Sequence, residues 1–471
     1  MSSDAPDAGA APVTVDPARA RLSPGTIVRY ATGSLGTGGF ATLPGLVLAY
    51  YLTDSLGVAA LAAGAVIAAS KIWDVLIDPV IGALTDRDLA HHGTRRRLML
   101  VGAVGLPVFF ALTFAVPPAL GPVIGALWVL VSFTLTATAY SLFQVPYIAL
   151  PAELTRSYDE RTRLLSWRVV VLTFAILAFG AGGPALRRVT DDPVLGYLVM
   201  GVVAGAVIAV GMLVATTVAR RPVAAPVTPA GAPRPAAGLG IREHYAAGLR
   251  ALRRSRPFRA LLATFVLQAL ATGLMLAGAQ YVATWVLHSE AAVELLFVAL
   301  IAPALLAAPA WGAVAGRIGK ERAFAGASVV FAVAALSIAG VAWAPGAWIY
   351  VPVGIAGIAY AGMQSLPMAM LPDVISHDER THGPGQAGAF SGLWTAGETV
   401  GFALGAAALS VILAVTGYVS STAGASVTQP DAAVTGIVIS FSVAPAMLLA
   451  VSLITLARYG LRRHDIESHT E

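Results

Sequence analysis

Polar and apolar residues follow one another along this chain in long blocks. Twelve of the blocks are apolar and close to 20 residues or longer, the length that a helix needs to cross a bilayer. Ala, Val, Leu and Gly run through them without the alternation of transmembrane β-strands, so a membrane barrel is disfavoured. The predicted spans, numbered 1 to 12, are 27–52, 59–85, 98–116, 122–151, 164–186, 195–218, 258–287, 291–315, 323–343, 348–371, 387–416 and 431–457.

The spans form two groups of six, divided by a stretch rich in Pro and Ala. The chain is therefore predicted to be an all-α membrane protein, with twelve transmembrane helices in two six-helix bundles. The predicted parts are a disordered cytoplasmic tail (1–26), an N-terminal bundle (27–218), a cytoplasmic linker (219–257), a C-terminal bundle (258–457) and a second cytoplasmic tail (458–471).

Composition agrees with an integral membrane protein and narrows its chemistry. Hydrophobic residues make up 57% of the 471 residues and charged residues 12%, about half the charged share of a soluble domain. The chain has no cysteine, which excludes disulfides, Cys-zinc sites, iron–sulfur clusters and thiol catalysis. No nucleophile–base pair, metal-ligand cluster or Walker motif stands out in the spans, so we expect neither an enzyme nor a metal or cofactor site.

The basic residues predict the orientation in the membrane. Of the 30 Lys and Arg residues, 27 fall on the side of the termini, two (Arg187 and Arg188) fall on the other side, and Lys71 lies inside span 2. The positive-inside rule makes the basic side cytoplasmic, with both termini inside a multi-pass protein of the cell inner (plasma) membrane. The net charge of +5 then needs no nucleic acid partner. The expected partners are the lipid bilayer, a small-molecule substrate and a coupling cation, and we expect a monomer.

The two groups of spans repeat one another. Pro146 near the end of span 4 has its counterpart in Pro367 of span 10, an offset of 221 residues (367 − 146), and the same Asp-Glu-Arg-Thr run follows at 159–162 and 378–381. A repeated six-helix half with a cytoplasmic linker is the architecture of the major facilitator superfamily, in which substrate binds between the halves near the bilayer midplane.

Span 2 carries three ionisable residues on one helical face. Lys71 and Asp74 are three residues apart, and Asp74 and Asp78 are four apart, so their side chains are neighbours. Each would cost about 2.5–3.5 kcal/mol at the centre of a membrane helix, and such residues are functional by default. We interpret them as a site for H⁺ or Na⁺ in which Lys71 neutralises a carboxylate when the cation leaves. The alternative is a buried ion pair that only orients helices.

Other polar residues in or beside the spans are weaker candidates. Glu398 in span 11 is interpreted as a second proton site, a substrate hydrogen-bonding group or a merely solvated carboxylate. Arg168 can pair with a span 2 carboxylate or extend to the cytoplasmic surface. A cytoplasmic gate is predicted from Gly82, Asp86, Arg87 and Arg168, although the first three also fit an ordinary loop of the basic side. Candidates for lining the substrate cavity are Tyr147, Gln364, Trp394 and Glu398.

These motifs resemble the glycoside–pentoside–hexuronide:cation symporter family of the major facilitator superfamily, whose best-known member is the melibiose permease. The resemblance covers roughly residues 27–457 and is strongest over 71–96. It implies cation-coupled (H⁺ or Na⁺) symport of a sugar, a glycoside or another small organic solute by alternating access. Asp74 and Asp78 then correspond to the family's cation-coupling carboxylates. Further matches lie at 146–147, 160–164, 168, 255–258, 371–373 and 401–405.

The chain departs from this family where sugar is bound. Gly38 and Gln144 stand where sugar-transporting members carry acidic residues. Thr399 stands where the family carries a lysine that is linked to Na⁺ coupling. A carboxylate accepts several strong hydrogen bonds from sugar hydroxyls, so the resemblance implies a kept cation site and a rebuilt substrate site that includes Gly38 and Gln144. The alternative function is transport of an amphipathic substrate, by lysolipid import or drug-like efflux. A membrane enzyme or a non-transporting sensor is the rival from another class.

The topology can be tested at Ala230, in the predicted linker. Because the chain has no cysteine, Ala230→Cys introduces one thiol. We expect that thiol to be protected from a membrane-impermeant maleimide in intact cells and labelled after the cells are opened. Rapid labelling of intact cells would contradict the predicted orientation.

Overall fold

The computed structural model describes residues 21–155, 158–220, 250, 252–382, 387–425 and 427–461. Twelve helical stretches are long and apolar enough to cross a membrane, which confirms the predicted number and the all-α class. Ala230 and most of the predicted tails and linker lie outside the described residues. The α-helices are Pro24–Ala31 and Ser34–Tyr50 (span 1), Ala60–His92 (span 2), Arg96–Thr113 (span 3), Gly121–Leu154 (span 4), Tyr158–Arg187 (span 5), Pro193–Thr216 (span 6), Arg256–Tyr281 (span 7), Ala292–Ile318 (span 8), Lys320–Ser337 (span 9), Tyr350–His382 (span 10), Ala387–Val415 (span 11), and Asp431–Phe441 with Val443–Leu456 (span 12).

Several helices continue beyond the predicted spans. Span 2 was expected to end at residue 85 and its helix runs to His92, and span 10 runs past the expected residue 371 to His382. Span 2 ends where Gly93 takes a left-handed conformation (φ 66°) and its N–H donates to the carbonyl of Leu89, a common way of capping a helix. Hydropathy marks the part of a helix inside the bilayer, whereas the cap decides where the helix ends.

The two halves share an unusual backbone feature. Spans 1 and 7 both end in a π-helical turn, at Tyr51–Ser55 and Val282–Val286. The turns start 231 residues apart (282 − 51), close to the offset of the sequence repeat. π turns are rare and often lie at functional sites. Their occurrence at matching positions supports the repeat and makes the ends of spans 1 and 7 places to examine for function.

The two halves meet near one end of the bundle. We call the end that carries the termini the basic face and the other end the opposite face. Near the opposite face, a Cβ added to Gly180 of span 5 would lie 2.0 Å from the Phe297 ring of span 8, and one added to Gly64 of span 2 would lie 2.5 Å from Ser410 of span 11. Such short distances leave room for glycine alone, so the halves are in close contact here.

A hydrogen-bonded seam closes this end. Asp54 at the end of span 1 is 8% exposed, and the Tyr418 hydroxyl from the other half donates to its Oδ1 at 2.6 Å. The Trp285 indole donates to the Tyr418 hydroxyl at 2.8 Å. Thr53 and Tyr281 share a hydrogen bond of 2.7 Å between their hydroxyls. We define these five residues as the seam, and they join span 1 to span 7 and to the loop after span 11.

Ion pairs extend the contact beside the seam. Arg187 at the end of span 5 is buried, donates to Glu290 of the other half at 2.8 Å, and donates to the Tyr197 hydroxyl at 2.8 Å. Arg188 pairs with Glu294 at the start of span 8. The two arginines that were predicted on this side thus both bind acidic residues across the halves.

At the basic face, by contrast, the ion pairs of the described residues stay within one half. Asp86 pairs with Arg95 at 3.0 Å, and Arg95 also binds Glu153 at 2.5 Å, all in the N-terminal half. Lys320 pairs with Asp373 at 2.6 Å in the C-terminal half. Asp86 therefore does not bridge to the other bundle in this conformation, contrary to its predicted gating contact. Among the described residues, the polar contacts that join the two halves therefore gather at the opposite face.

The closed seam can be tested with a thiol behind it. Ala41 lies in the middle of span 1 and is exposed although most of that span is buried, so it is an accessible position for a thiol. Tyr418→Phe removes the donor to Asp54, and a hydrogen bond to a charged group contributes about 1.5–3 kcal/mol. We expect Ala41→Cys to react with an external impermeant maleimide about ten times faster in Tyr418→Phe.

The matched control for the seam is Tyr350→Phe, which removes a tyrosine hydroxyl near the same face but outside the seam. It should leave the labelling rate of Ala41→Cys unchanged. Equal rates in the parent and in Tyr418→Phe would show that the seam does not hold this face closed.

Candidate functional site

The ionisable residues of span 2 come together with a hydroxyl of span 4. The Lys71 ammonium lies 3.6 Å from Asp74 Oδ2, and the Ser141 hydroxyl donates to Asp74 Oδ1 at 3.3 Å. Asp78 also lies close to Ser141, so the single proton of this hydroxyl is near both carboxylates. The ammonium of Lys71 also lies 5.5 Å from the centre of the Phe40 ring in span 1. We call Lys71, Asp74, Asp78 and Ser141 the carboxylate cluster.

Helix contacts hold the cluster in place. The indole of Trp73 donates to the Thr138 hydroxyl at 2.9 Å, which ties span 2 to span 4 beside Asp74. The side chains of Lys71 and Asp74 are 27% and 13% exposed, so the cluster is partly accessible. Carboxylate and hydroxyl oxygens are the ligands that hard cations prefer, and the carboxylates can also accept protons. The Lys71 ammonium pairs with Asp74, so it would compete with a bound cation for this carboxylate.

Ser141 was missed by the sequence-based prediction. Its hydroxyl lies one turn before Gln144 on span 4, and an i,i+3 spacing places both on one helical face. Nothing in the sequence distinguishes Ser141 from the other hydroxyls of this span until the packing of span 2 against span 4 is known.

The predicted cavity residues of the N-terminal half differ in their environment. Gln144 accepts a hydrogen bond of 2.8 Å from the Thr37 hydroxyl of span 1, so a polar pair lies on the same face of span 4 as Ser141. Tyr147 is fully buried and donates to the Tyr30 carbonyl at 2.9 Å. Gln144 keeps its place among the cavity candidates, whereas Tyr147 is a core residue in this conformation.

Gly38 is a correction to the predicted substrate site. A Cβ at this position would lie 2.7 Å from the Ala175 Cβ and 3.0 Å from the Leu172 carbonyl oxygen, both in span 5. Gly38 therefore permits close packing of spans 1 and 5 and does not line the cavity.

Arg168, also in span 5, lies 5.4 Å from the centre of the Tyr147 ring, and no ion pair joins it to a span 2 carboxylate within the described ranges.

The remaining gate candidates have few contacts. A Cβ added to Gly82 would come no nearer than 3.9 Å to Val145 of span 4, so this glycine is not required by close packing here. Arg87 is exposed at the end of span 2. Neither residue bridges the halves in the part of the chain that the structure describes.

The C-terminal half presents polar but mostly uncharged groups. Gln364 of span 10 donates to the Tyr360 hydroxyl at 2.5 Å, and both line a small cavity with Gln268 of span 7. Glu398 of span 11 is partly buried. Trp394 is only 3% exposed and stacks on Phe265 with ring centres 4.1 Å apart, so it packs between helices and its predicted place in the cavity is corrected. Glu398 and Gln364 lie in the other half from the carboxylate cluster.

Comparison with known proteins decides the family. The family model described as MFS/sugar transport protein matches residues 29–463.

The chain belongs to this family. It is therefore a multi-pass membrane transporter rather than an enzyme, as the sequence predicted.

Relatives within this family show what the chain is similar to. It is 27% identical to YagG of Escherichia coli, named as a candidate glycoside/cation symporter, over 94% of this chain and 93% of YagG. It is 25% identical to the mouse sphingosine-1-phosphate transporter MFSD2B, over 78% of this chain and 75% of that protein. The crystal structure of a D-xylose–proton symporter superimposes with a TM-score of 0.65 at 12% identity, over 92% of this chain and 96% of that one, which shows a shared fold.

The contribution of Ser141 can be measured without knowing the transported solute. Ser141→Ala removes one oxygen ligand and one hydrogen bond to a carboxylate, worth about 1.5–3 kcal/mol. We expect the concentration of the coupling cation that gives half of the maximal thermal stabilisation to rise about tenfold. The measurement is the melting temperature of purified protein, titrated with Na⁺ at fixed pH and with H⁺ in Na⁺-free buffer.

Ser132→Ala is the control for this titration. Ser132 lies in the same span, and its hydroxyl donates to the Trp128 carbonyl of its own helix. Its removal should leave the cation dependence unchanged. If Ser141→Ala also titrates as the parent does, Ser141 is not a cation ligand.

Proposed function

We propose that this transporter couples the uptake of a sugar, a glycoside-like or another small organic solute to H⁺ or Na⁺ by alternating access. The observation that carries the proposal is the carboxylate cluster, in which Lys71 pairs with Asp74, the Ser141 hydroxyl donates to Asp74, and Asp78 lies close to Ser141. Membership in the MFS/sugar transport family and the similarity to YagG support a sugar-like solute.

The cluster provides a simple way to couple an ion to a conformational change. A cation at Asp74 and Asp78 takes over the charge neutralisation that Lys71 provides, so that either the ammonium or the cation faces the carboxylates. We place both termini in the cytoplasm of a plasma-membrane protein, so the contacts that join the halves lie at the outer end in the conformation seen here. It then corresponds to the state that releases substrate and cation into the cell.

An amphipathic substrate is the second candidate. It is favoured by the similarity to MFSD2B, which is named a sphingosine-1-phosphate transporter, and by the amide of Gln144 at a position where a carboxylate is expected in sugar-transporting members. The sugar-like proposal is preferred because YagG, which is named for glycosides and cations, aligns over a larger share of both chains than MFSD2B does.

Asp78→Asn tests the coupling. The substitution keeps the size and hydrogen bonding of the side chain and removes its charge. In proteoliposomes supplied with a set of radiolabelled glycosides, we expect wild type to accumulate its substrate when an inward Na⁺ or H⁺ gradient is imposed. Asp78→Asn should lose this accumulation and retain substrate exchange between equal concentrations. Accumulation in Asp78→Asn equal to wild type would place the coupling site elsewhere.

Asp88→Asn is the matched control. Asp88 lies in the same helix near the basic face and is close to His92, away from the carboxylate cluster. This variant should accumulate substrate as wild type does. Failure of wild type to move any glycoside, combined with movement of a labelled lysolipid, would instead favour the amphipathic alternative.

A further inference from the structure

The C-terminal half contains a crevice that is separate from the carboxylate cluster. At the basic face, a crevice of about 970 Å³ lies between spans 8, 9 and 10 and the segment that follows span 12. The carboxylate cluster lies in the other half of the protein, and none of its residues lines the crevice.

Three cationic side chains lie at the mouth of this crevice. They are Arg317 at the end of span 8 and Lys320 and Arg322 at the start of span 9. Lys320 donates to Asp373 at 2.6 Å, whereas the described residues offer Arg317 and Arg322 no ion-pair partner. With Glu321 and Asp373 also at the mouth, cations outnumber anions by three to two among the described lining residues.

Tyr459 supplies a buried donor to the same crevice. Its side chain is 2% exposed and lines the crevice, yet its hydroxyl has no hydrogen-bond partner among the described residues. Burial raises the pKa of Tyr459, so the hydroxyl keeps its proton and needs an acceptor. A buried donor without a partner costs about 1–3 kcal/mol, and a phosphate oxygen would satisfy it.

The inner part of the crevice is apolar, and small residues line it. Ala308, Gly312 and Ala315 of span 8 face it, and an added Cβ at Gly312 would meet nothing within 4 Å. Ala308 precedes Arg317 by nine residues (317 − 308), about 13 Å along a helix that rises 1.5 Å per residue. The crevice thus leads from a cationic mouth into the depth of the hydrocarbon layer.

We propose that this crevice binds an anionic phospholipid of the leaflet at the basic face. Arg317, Arg322 and Tyr459 contact its phosphate, and the upper part of an acyl chain covers Ala308 and Gly312. Free phosphate shares the headgroup chemistry, but it would leave the apolar part of the crevice uncovered. Basic pockets between membrane helices are known to hold such headgroups. The proposal concerns a lipid site and does not depend on which solute is transported.

The experiment uses the full chain, purified and delipidated in a neutral detergent, and counts bound lipid by native mass spectrometry. The probes are phosphatidylglycerol, phosphatidylcholine with the same acyl chains, and inorganic phosphate. We expect phosphatidylglycerol to bind at least ten times more tightly than phosphatidylcholine. Tyr459→Phe and the double variant Arg317→Gln with Arg322→Gln should each weaken phosphatidylglycerol at least tenfold. Arg380→Gln, which removes an exposed charge of the same face and half, should have no such effect.

Four results would overturn the proposal. They are equal binding of the two lipids, unchanged phosphatidylglycerol binding in the double variant, complete competition by inorganic phosphate at the concentration of the lipid, and loss of the preference for phosphatidylglycerol when residues 462–471 are deleted. The last would assign the preference for phosphatidylglycerol to Arg462 and Arg463 of the deleted segment rather than to the crevice. Because Tyr459 is buried, the surface double variant decides the outcome if Tyr459→Phe does not fold.

Discussion

Pairing of Lys71 with the carboxylates of span 2 is the interaction on which the functional interpretation depends. A charge in the hydrocarbon layer is expensive wherever it is unpaired, and this helix carries three. Their spacing puts them on one face, and the contact of Trp73 with Thr138 holds that face against span 4. A cation-coupled transporter needs carboxylates that always face a positive charge. In this cluster that charge can come either from Lys71 or from a bound cation. The rest of the fold supplies the alternating access to it.

The two ends of the bundle show how access is controlled. At the opposite face Asp54 is buried between Thr53 and Tyr418, and Arg187 binds Glu290 across the halves. At the basic face the described ion pairs join neighbours of the same half. Among the described residues, the polar contacts between the halves are therefore found at the opposite face, and opening that end requires those contacts to be replaced by water or by new partners.

Much of this could be predicted from the sequence, for physical reasons. Spans 1 to 12 follow from the length of apolar blocks, and Lys71, Asp74 and Asp78 follow from the cost of charge in lipid. Contacts between helices could not be predicted in this way. Ser141 and Asp54 are important only because of what packs against them, and Gly38 and Trp394 were assigned to a cavity although close packing surrounds them. Hydropathy indicates how deep in the membrane a residue lies, but not which neighbour its side chain contacts.

The central claim is that the two ends open in turn, and paired distance measurements test it most directly. Because the chain has no cysteine, spin labels can be attached at Val189 and Trp343, which are 69% and 84% exposed near the opposite face, and in a second sample at His91 and Arg380 near the basic face. Double electron–electron resonance then follows both pairs while Na⁺ and pH are varied. We predict that any condition that lengthens the Val189–Trp343 distance shortens the His91–Arg380 distance. Distances that stay fixed, or that lengthen together, would contradict alternating access.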